Sequence, residues 1–231
     1  NISDASIQSA VDKLNDTFNE PFNYYFTLGT VDRTMNDDWY LFEQNEEANQ
    51  SEDEQEMRQA LQIDPVHYYN IYSIKTEVHD GYITMGWNYY PMYIPENSIW
   101  QGTTVNWQAA NYSGQTITHE CGHYFGLLHT FQGGCSGGDA VDDTPDQDDG
   151  DNIYECNESL DTCPNDPGND PVHNIMNYSP NACRWEYTGG QADRAYAIVE
   201  AYHPGLLENT DDEASVYLSM SSGSAGLMET V

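Results

Sequence analysis

Residues 119–129 read HECGHYFGLLH, and their spacing constrains both a local fold and a chemistry. On an α-helix, side chains four apart lie one above the other, so His119 and His123 present two imidazoles to a single point. Gly126, three residues on, lets the backbone leave the helix through a left-handed conformation that a side chain disfavours, which swings His129 round to the same point. Three neutral imidazole nitrogens with a fourth position left open suit zinc in a catalytic rather than a structural site. Glu120 projects beside that metal rather than onto it, where it is placed to act as general base on a water held by the zinc. Cys121 points to another face of the helix and reads as a small buried apolar residue, not a fourth ligand.

Outward from this motif, Ile117, Cys121, Tyr124, Phe125 and Leu128 give the helix an apolar face and place it over residues 111–128, starting near Ser113. At the N-terminus Ile7, Ala10, Val11, Leu14 and Phe18 recur at helical spacing, predicting an amphipathic helix over 4–18 with Ser3 or Asp4 as its cap. Phe22, Tyr24, Phe26 and Leu28 then alternate with polar or aromatic neighbours in strand fashion. A Glu- and Gln-rich surface helix is expected over 45–62. Buried strands are expected over 66–75 and 102–107, with a shorter one over 82–87 between them. From 130 to 183 Gly, Asp, Asn and Pro dominate, so regular structure is expected to be scarce and disulfides or ions must supply order. A last helix is expected over 190–202, with Ala192, Ala195, Ile198, Val199 and Tyr202 inward. The tail beyond it looks less compact.

The 231 residues suit one domain. With 39 acidic against 6 basic residues the formal charge is −33, which repels phosphate backbones and anionic lipid, so neither nucleic acid nor membrane is expected as a partner. No apolar run approaches the roughly 18 residues a membrane span needs. The chain starts at Asn1 without an initiator methionine or signal segment and reads as a processed product. Four of the five cysteines, Cys135, Cys156, Cys163 and Cys183, punctuate the loop-rich stretch without close CxxC pairs. They suggest two disulfides and an oxidising compartment, with three connectivities open.

HExxHxxGxxH is the signature of the metzincin clan of zinc peptidases, and the flanking residues narrow the resemblance. HTFQGGC at 129–135, VDDTPD at 141–146, DTC at 161–163 and DPVHNIMNYSPNAC at 170–183 resemble the pappalysin family, with a likeness running from the first helix to about Tyr202. The resemblance implies an α/β fold of the α+β kind, the metzincin catalytic domain. In it a twisted mixed sheet with helices forms an upper subdomain (about 1–126). An irregular, disulfide-linked lower subdomain with a C-terminal helix follows (about 127–205), then a tail (206–231).

It further implies a Met-turn at Met176 forming an apolar floor beneath the zinc, and a role for Tyr178 in stabilising the tetrahedral intermediate. The pairing it implies is Cys135 with Cys163 and Cys156 with Cys183. A calcium site is implied near the loop after the third histidine, with Asp139, Asp142, Asp143, Thr144 and Asp146 as candidates. In pappalysins that cut beside basic residues an acidic residue commonly precedes the cysteine after the Met-turn, whereas Ala182 precedes Cys183 here. A preference for arginine is therefore not expected, and Arg184 points instead to acidic or neutral side chains. The expectation is a secreted, monomeric zinc endopeptidase that hydrolyses internal bonds of proteins or peptides by a Glu120-activated water, with zinc and calcium as cofactors. A peptide-binding pseudo-enzyme would have little reason to keep Glu120. A calcium-stabilised adhesion module would have no need of three histidines around one glutamate.

Overall fold

Helix α1 spans Asp4–Phe18, and the Ser3 hydroxyl accepts from the Ser6 amide at 3.1 Å to cap it. Its periodic residues Ile7, Ala10, Val11, Leu14 and Phe18 are all buried. The computed structural model describes residues 2–42, 51–76, 78–79, 82–109, 115–208 and 215–222. Strand β1 runs Tyr25–Asp32, later than the alternation from Phe22 suggests. Phe22 and Tyr24 are buried by ring packing, not by strand pairing: Phe22 lies 4.8 Å from Phe18 and 4.9 Å from Tyr187, and Tyr24 lies 5.0 Å from Phe125.

Further along come α2 (Asp37–Tyr40), β2 (Leu41–Phe42), α3 (Glu52–Leu61), β3 (Tyr68–Thr76), β4 (Val78–His79), β5 (Tyr82–Ile83), β6 (Gly86–Asn88) and β7 (Thr103–Asn106). They are followed by α4 (Gln115–Tyr124), α5 (Gly189–Tyr202) and β8 (Ser215–Ser222). Residues 43–50 and 110–114, where the expected helices over 45–62 and 111–128 begin, lie outside the described residues. The short strand expected over 82–87 is two strands. β5 pairs with β4 in a local antiparallel ribbon, and β6 pairs with β7.

The main sheet has the order β1-β8-β3-β7-β6, with β2 beside the end of β3. Every pairing in it is parallel except β6 with β7. Strands β3 and β7 are buried along almost their whole length, as the β-branched and aromatic runs of a parallel sheet covered on both faces require. Among the described residues β6 is the last strand of this order. β8 corrects the expectation of a less compact tail. Val216, Leu218 and Met220 alternate with other residues at strand spacing, a pattern that the surrounding Ser and Gly obscure.

The expected surface helix α3 is also corrected, because Glu54, Met57 and Arg58 are buried. Arg58 donates to Glu54 Oε1 at 2.8 Å, to the Gln101 carbonyl at 3.1 Å and to Thr104 Oγ1 at 2.9 Å. Glu54 also accepts from Trp87 Nε1 at 2.9 Å and from the Tyr89 hydroxyl at 3.1 Å. The guanidinium lies 4.8 Å from the centre of the Tyr72 ring. Charged residues alone suggest a surface, but here the guanidinium finds partners on its own helix and in the chain at Gln101 and Thr104. Removing one member of such a buried pair strands the other, so Arg58→Ala is expected to destabilise by about 3–5 kcal/mol in chemical denaturation. A change below about 1 kcal/mol would mean that the pair behaves as an exposed one.

Between α4 and α5 the chain is loop and turn, as its composition requires. Disulfides Cys135–Cys163 and Cys156–Cys183 staple it. A buried polar node adds to them: Gln147 Oε1 accepts from Thr130 Oγ1 at 2.9 Å and from Asn177 Nδ2 at 2.7 Å. Helix α5 begins with a capping box in which Thr188 and Gln191 satisfy each other's backbone amides. Its Ala192, Ala195 and Val199 are buried, but Tyr202 is exposed, since the last turn runs past the core.

Candidate active site

Every residue of α4 is buried, and the helix packs against α1, β6 and β7. It ends where Gly126 takes φ 80°, a conformation that a Cβ disfavours. A Cβ there would also meet Ile198 Cγ2 at 2.8 Å. The turn carries His129 back beside the two helical histidines, and one ligand nitrogen from each of His119, His123 and His129 lies within 4.8 Å of the others.

The outer nitrogens are held by carbonyls and an amide. His119 Nδ1 is 2.7 Å from the Ile175 carbonyl, His123 Nδ1 2.8 Å from the Leu127 carbonyl, and His129 Nδ1 3.2 Å from Gln132 Oε1. Since the acceptors are oxygens, the protons are assigned to Nδ1, leaving lone pairs on Nε2. His123 Nε2 and His129 Nε2 face each other at 3.0 Å, an arrangement that only a shared proton or a cation between them makes favourable. Burial pushes His119 well below its ordinary range, with the neighbouring imidazoles adding to the effect. It pushes His123 down to about 3 and His129 down to about 4. Three neutral, convergent imidazoles with fixed tautomers fit a divalent metal.

The Glu120 carboxylate sits against the main chain of β6. A Cβ on Gly86 would lie 2.8 Å from Glu120 Cγ and 2.9 Å from Oε1. Oε2 is buried with no hydrogen-bond partner. Burial raises this carboxyl to about 8, opposed by the charge of Arg184 and by Asn88. A dication at the histidines would pull it back down. Asn88 donates to the Glu120 carbonyl at 2.6 Å and so ties β6 to α4 beside the site.

Met176 is fully buried, and a Cβ at Gly122 would collide with its sulfur, so the thioether lies directly under the helix between the two histidines. Tyr178 is 39 % exposed, with its ring 4.7 Å from His129 and 5.8 Å from His119. Burial and Glu120 push its hydroxyl up to about 12, so it stays protonated as a donor. A cleft of about 620 Å³ opens over these groups, lined also by Trp87, Tyr90, Thr116, Asn181 and Arg184. Arg184 lies nine-tenths buried beneath the Met176 turn, donating to the Asn177 carbonyl at 2.7 Å and the Ile175 carbonyl at 3.2 Å.

No three of the carboxylates of Asp139, Asp142, Asp143 and Asp146 converge as the histidines do. Among the described residues the three histidines form the one group of metal-ligating side chains close enough to share an ion. Asp139 is buried, raised to about 6 by that burial, and accepts from the Val141 amide at 3.1 Å. Asp143 accepts from the Gly190 amide at 2.9 Å, and Thr144 Oγ1 is buried without a hydrogen-bond partner.

Gly86, Asn88 and Tyr90 were not singled out from the sequence. The available signal was a glycine inside a strand pattern, which marks close approach of another group.

A family model described as pregnancy-associated plasma protein-A, peptidase M43, matches residues 51–200. An extracellular metalloprotease of Pyricularia oryzae is 35 % identical over 213 residues, covering 88 % of this chain and 70 % of that protein. One of Neurospora crassa is 36 % identical over 212 residues, covering 87 % and 69 %. Among solved structures, mature mirolysin of Tannerella forsythia in complex with a cleaved peptide matches with TM-score 0.61 at 23 % identity, covering 86 % of this chain and 85 % of that one. That structural likeness shows the metzincin fold, and the sequence matches show the kinship. The chain therefore belongs to the peptidase M43, or pappalysin, family and is a metalloendopeptidase.

Proposed function

We propose that this chain is a secreted zinc-dependent endopeptidase in which His119, His123 and His129 hold the metal and Glu120 is the general base. The observation that carries the reading is the convergence of three neutral imidazoles beside one buried carboxylate whose Oε2 has no hydrogen-bond partner. Zinc bound there would supply a Lewis acid that polarises the scissile carbonyl and acidifies water. The substrate lies extended along the edge strand β6 and is held by main-chain hydrogen bonds. Glu120 Oε2 takes a proton from the attacking water and passes it to the nitrogen of the leaving amine. The Tyr178 hydroxyl donates to the developing oxyanion, and Met176 forms the apolar floor. The chain acts as a single catalytic domain whose two halves meet near Gly126, with the tail completing the sheet. The two disulfides and the extracellular relatives support secretion. A monomer is expected.

Metal analysis tests the cofactor. We expect one zinc per chain, cleavage of casein abolished by a chelator, and recovery with zinc but not with calcium. Full activity in the metal-stripped protein would refute the reading. A second variant tests the seating of the base. Gly86→Ala is expected to push the Glu120 side chain out of place and lower kcat by about 100-fold, with KM and bound zinc little changed. A loss confined to KM would instead point to the β6 edge itself.

A further inference from the structure

Arg184 is the one cation among the residues lining the cleft, and Glu120 is the one carboxylate there. Its guanidinium is held by the carbonyls of Ile175 and Asn177 and by Asn181 Oδ1 at 2.5 Å. Its Nε is buried without a hydrogen-bond partner. Among the described residues Arg184 makes no ion pair, in a chain that carries 39 carboxylates against 6 cations. Neutral oxygens orient the guanidinium, and Glu120 acts on its charge only from beyond ion-pair distance, so it lacks the contact anion that a buried charge calls for. With Nη1 3.4 Å from His119 Nδ1, that charge lies one side chain away from the place of peptide cleavage.

We propose that Arg184 determines specificity by taking the side-chain carboxylate of an aspartate or glutamate at a position flanking the scissile bond. The inference rests on the peptidase reading above and names its substrate class. A planar, fixed fork suits a carboxylate better than an ammonium or an apolar group. The acidic surface opposes such substrates only at long range, because charges beyond about 8–10 Å are screened at physiological salt. The preference is therefore local, for one carboxylate at one position rather than for polyacidic peptides.

The experiment uses peptides amidated at the C-terminus, which differ only in carrying Glu, Gln or Lys at each flanking position, in physiological salt. At one of these positions the zinc-loaded enzyme is expected to cleave the Glu peptide with kcat/KM about tenfold or more above the Lys peptide. In Arg184→Met that ratio should fall to within about twofold. Arg184→Lys, which keeps the stem and the charge, guards against unfolding and should weaken the ratio several-fold without reversing it. A flat or basic preference in the wild type overturns the inference, as does an unchanged profile in a folded Arg184→Met or in Arg184→Lys. Binding of the same peptides to zinc-loaded Glu120→Ala reads the preference without hydrolysis. A failure of the peptidase reading, seen as no cleavage of any peptide, is thus distinguished from a failure of the role of Arg184.

Discussion

Replacing Glu120 by glutamine is expected to lower kcat for peptide hydrolysis by about 10²- to 10⁴-fold, the range that a positioned general base contributes. Bound zinc should be unaffected, since the three imidazoles that form the metal-ligating group do not include this carboxylate. The amide has the same shape and fits the same space against Gly86. It differs in being unable to accept and return a proton. Because the wild-type carboxyl is buried with Oε2 unpartnered, removing its charge should leave the fold at least as stable. Measuring kcat, zinc content and thermal unfolding on the same preparation separates these effects. Activity within a few-fold of wild type in zinc-loaded Glu120→Gln would eliminate Glu120 as the base and with it the proposed proton path.

His123→Ala is expected to remove both metal and activity. Zinc should fall from one per chain to near zero after dialysis, with hydrolysis at background. Two histidines cannot close the site, and His123 also fixes the turn that delivers the third, through the bond from its Nδ1 to the Leu127 carbonyl at 2.8 Å. Linkage supplies an independent readout. A ligand at about 1,000 times its Kd stabilises the folded state by about 4 kcal/mol, so zinc should raise the unfolding temperature of the wild type and leave that of His123→Ala unchanged. Cys121→Ser is the control, since Cys121 is buried and unpaired and is absent from the metal-ligating group. A variant that still binds one zinc tightly would show that the ligand set lies elsewhere.

Helix α1, helix α5 and the two central strands were legible as apolar periods, because burial of one face or of both faces leaves a mark on neighbouring residues. The misreadings have specific causes. Phe22 and Tyr24 mimic a strand because a cluster of stacked rings buries the same residue types that a sheet does. Helix α3 looks solvated because Glu54 and Arg58 satisfy each other and the sheet, and charge alone carries no record of a partner. The tail looks open because serine and glycine cluster at its centre, while pairing with β1 and β3 is a long-range property.

HECGHYFGLLH determined the three imidazoles, the carboxylate beside them and the left-handed turn at Gly126, since helical periodicity and the freedom of a glycine are local properties. Tertiary structure decided the rest. Gly86 makes room for Glu120 from a strand more than thirty residues away. The carbonyl of Ile175 fixes His119. Arg184, one ordinary surface residue type among the few cations of an acidic chain, is brought under the Met176 turn and left facing the cleft with no ion pair among the described residues. Each of these is a meeting of groups distant in sequence, and no local pattern encodes such a meeting because it depends on how the sheet, the helix and the loops pack together.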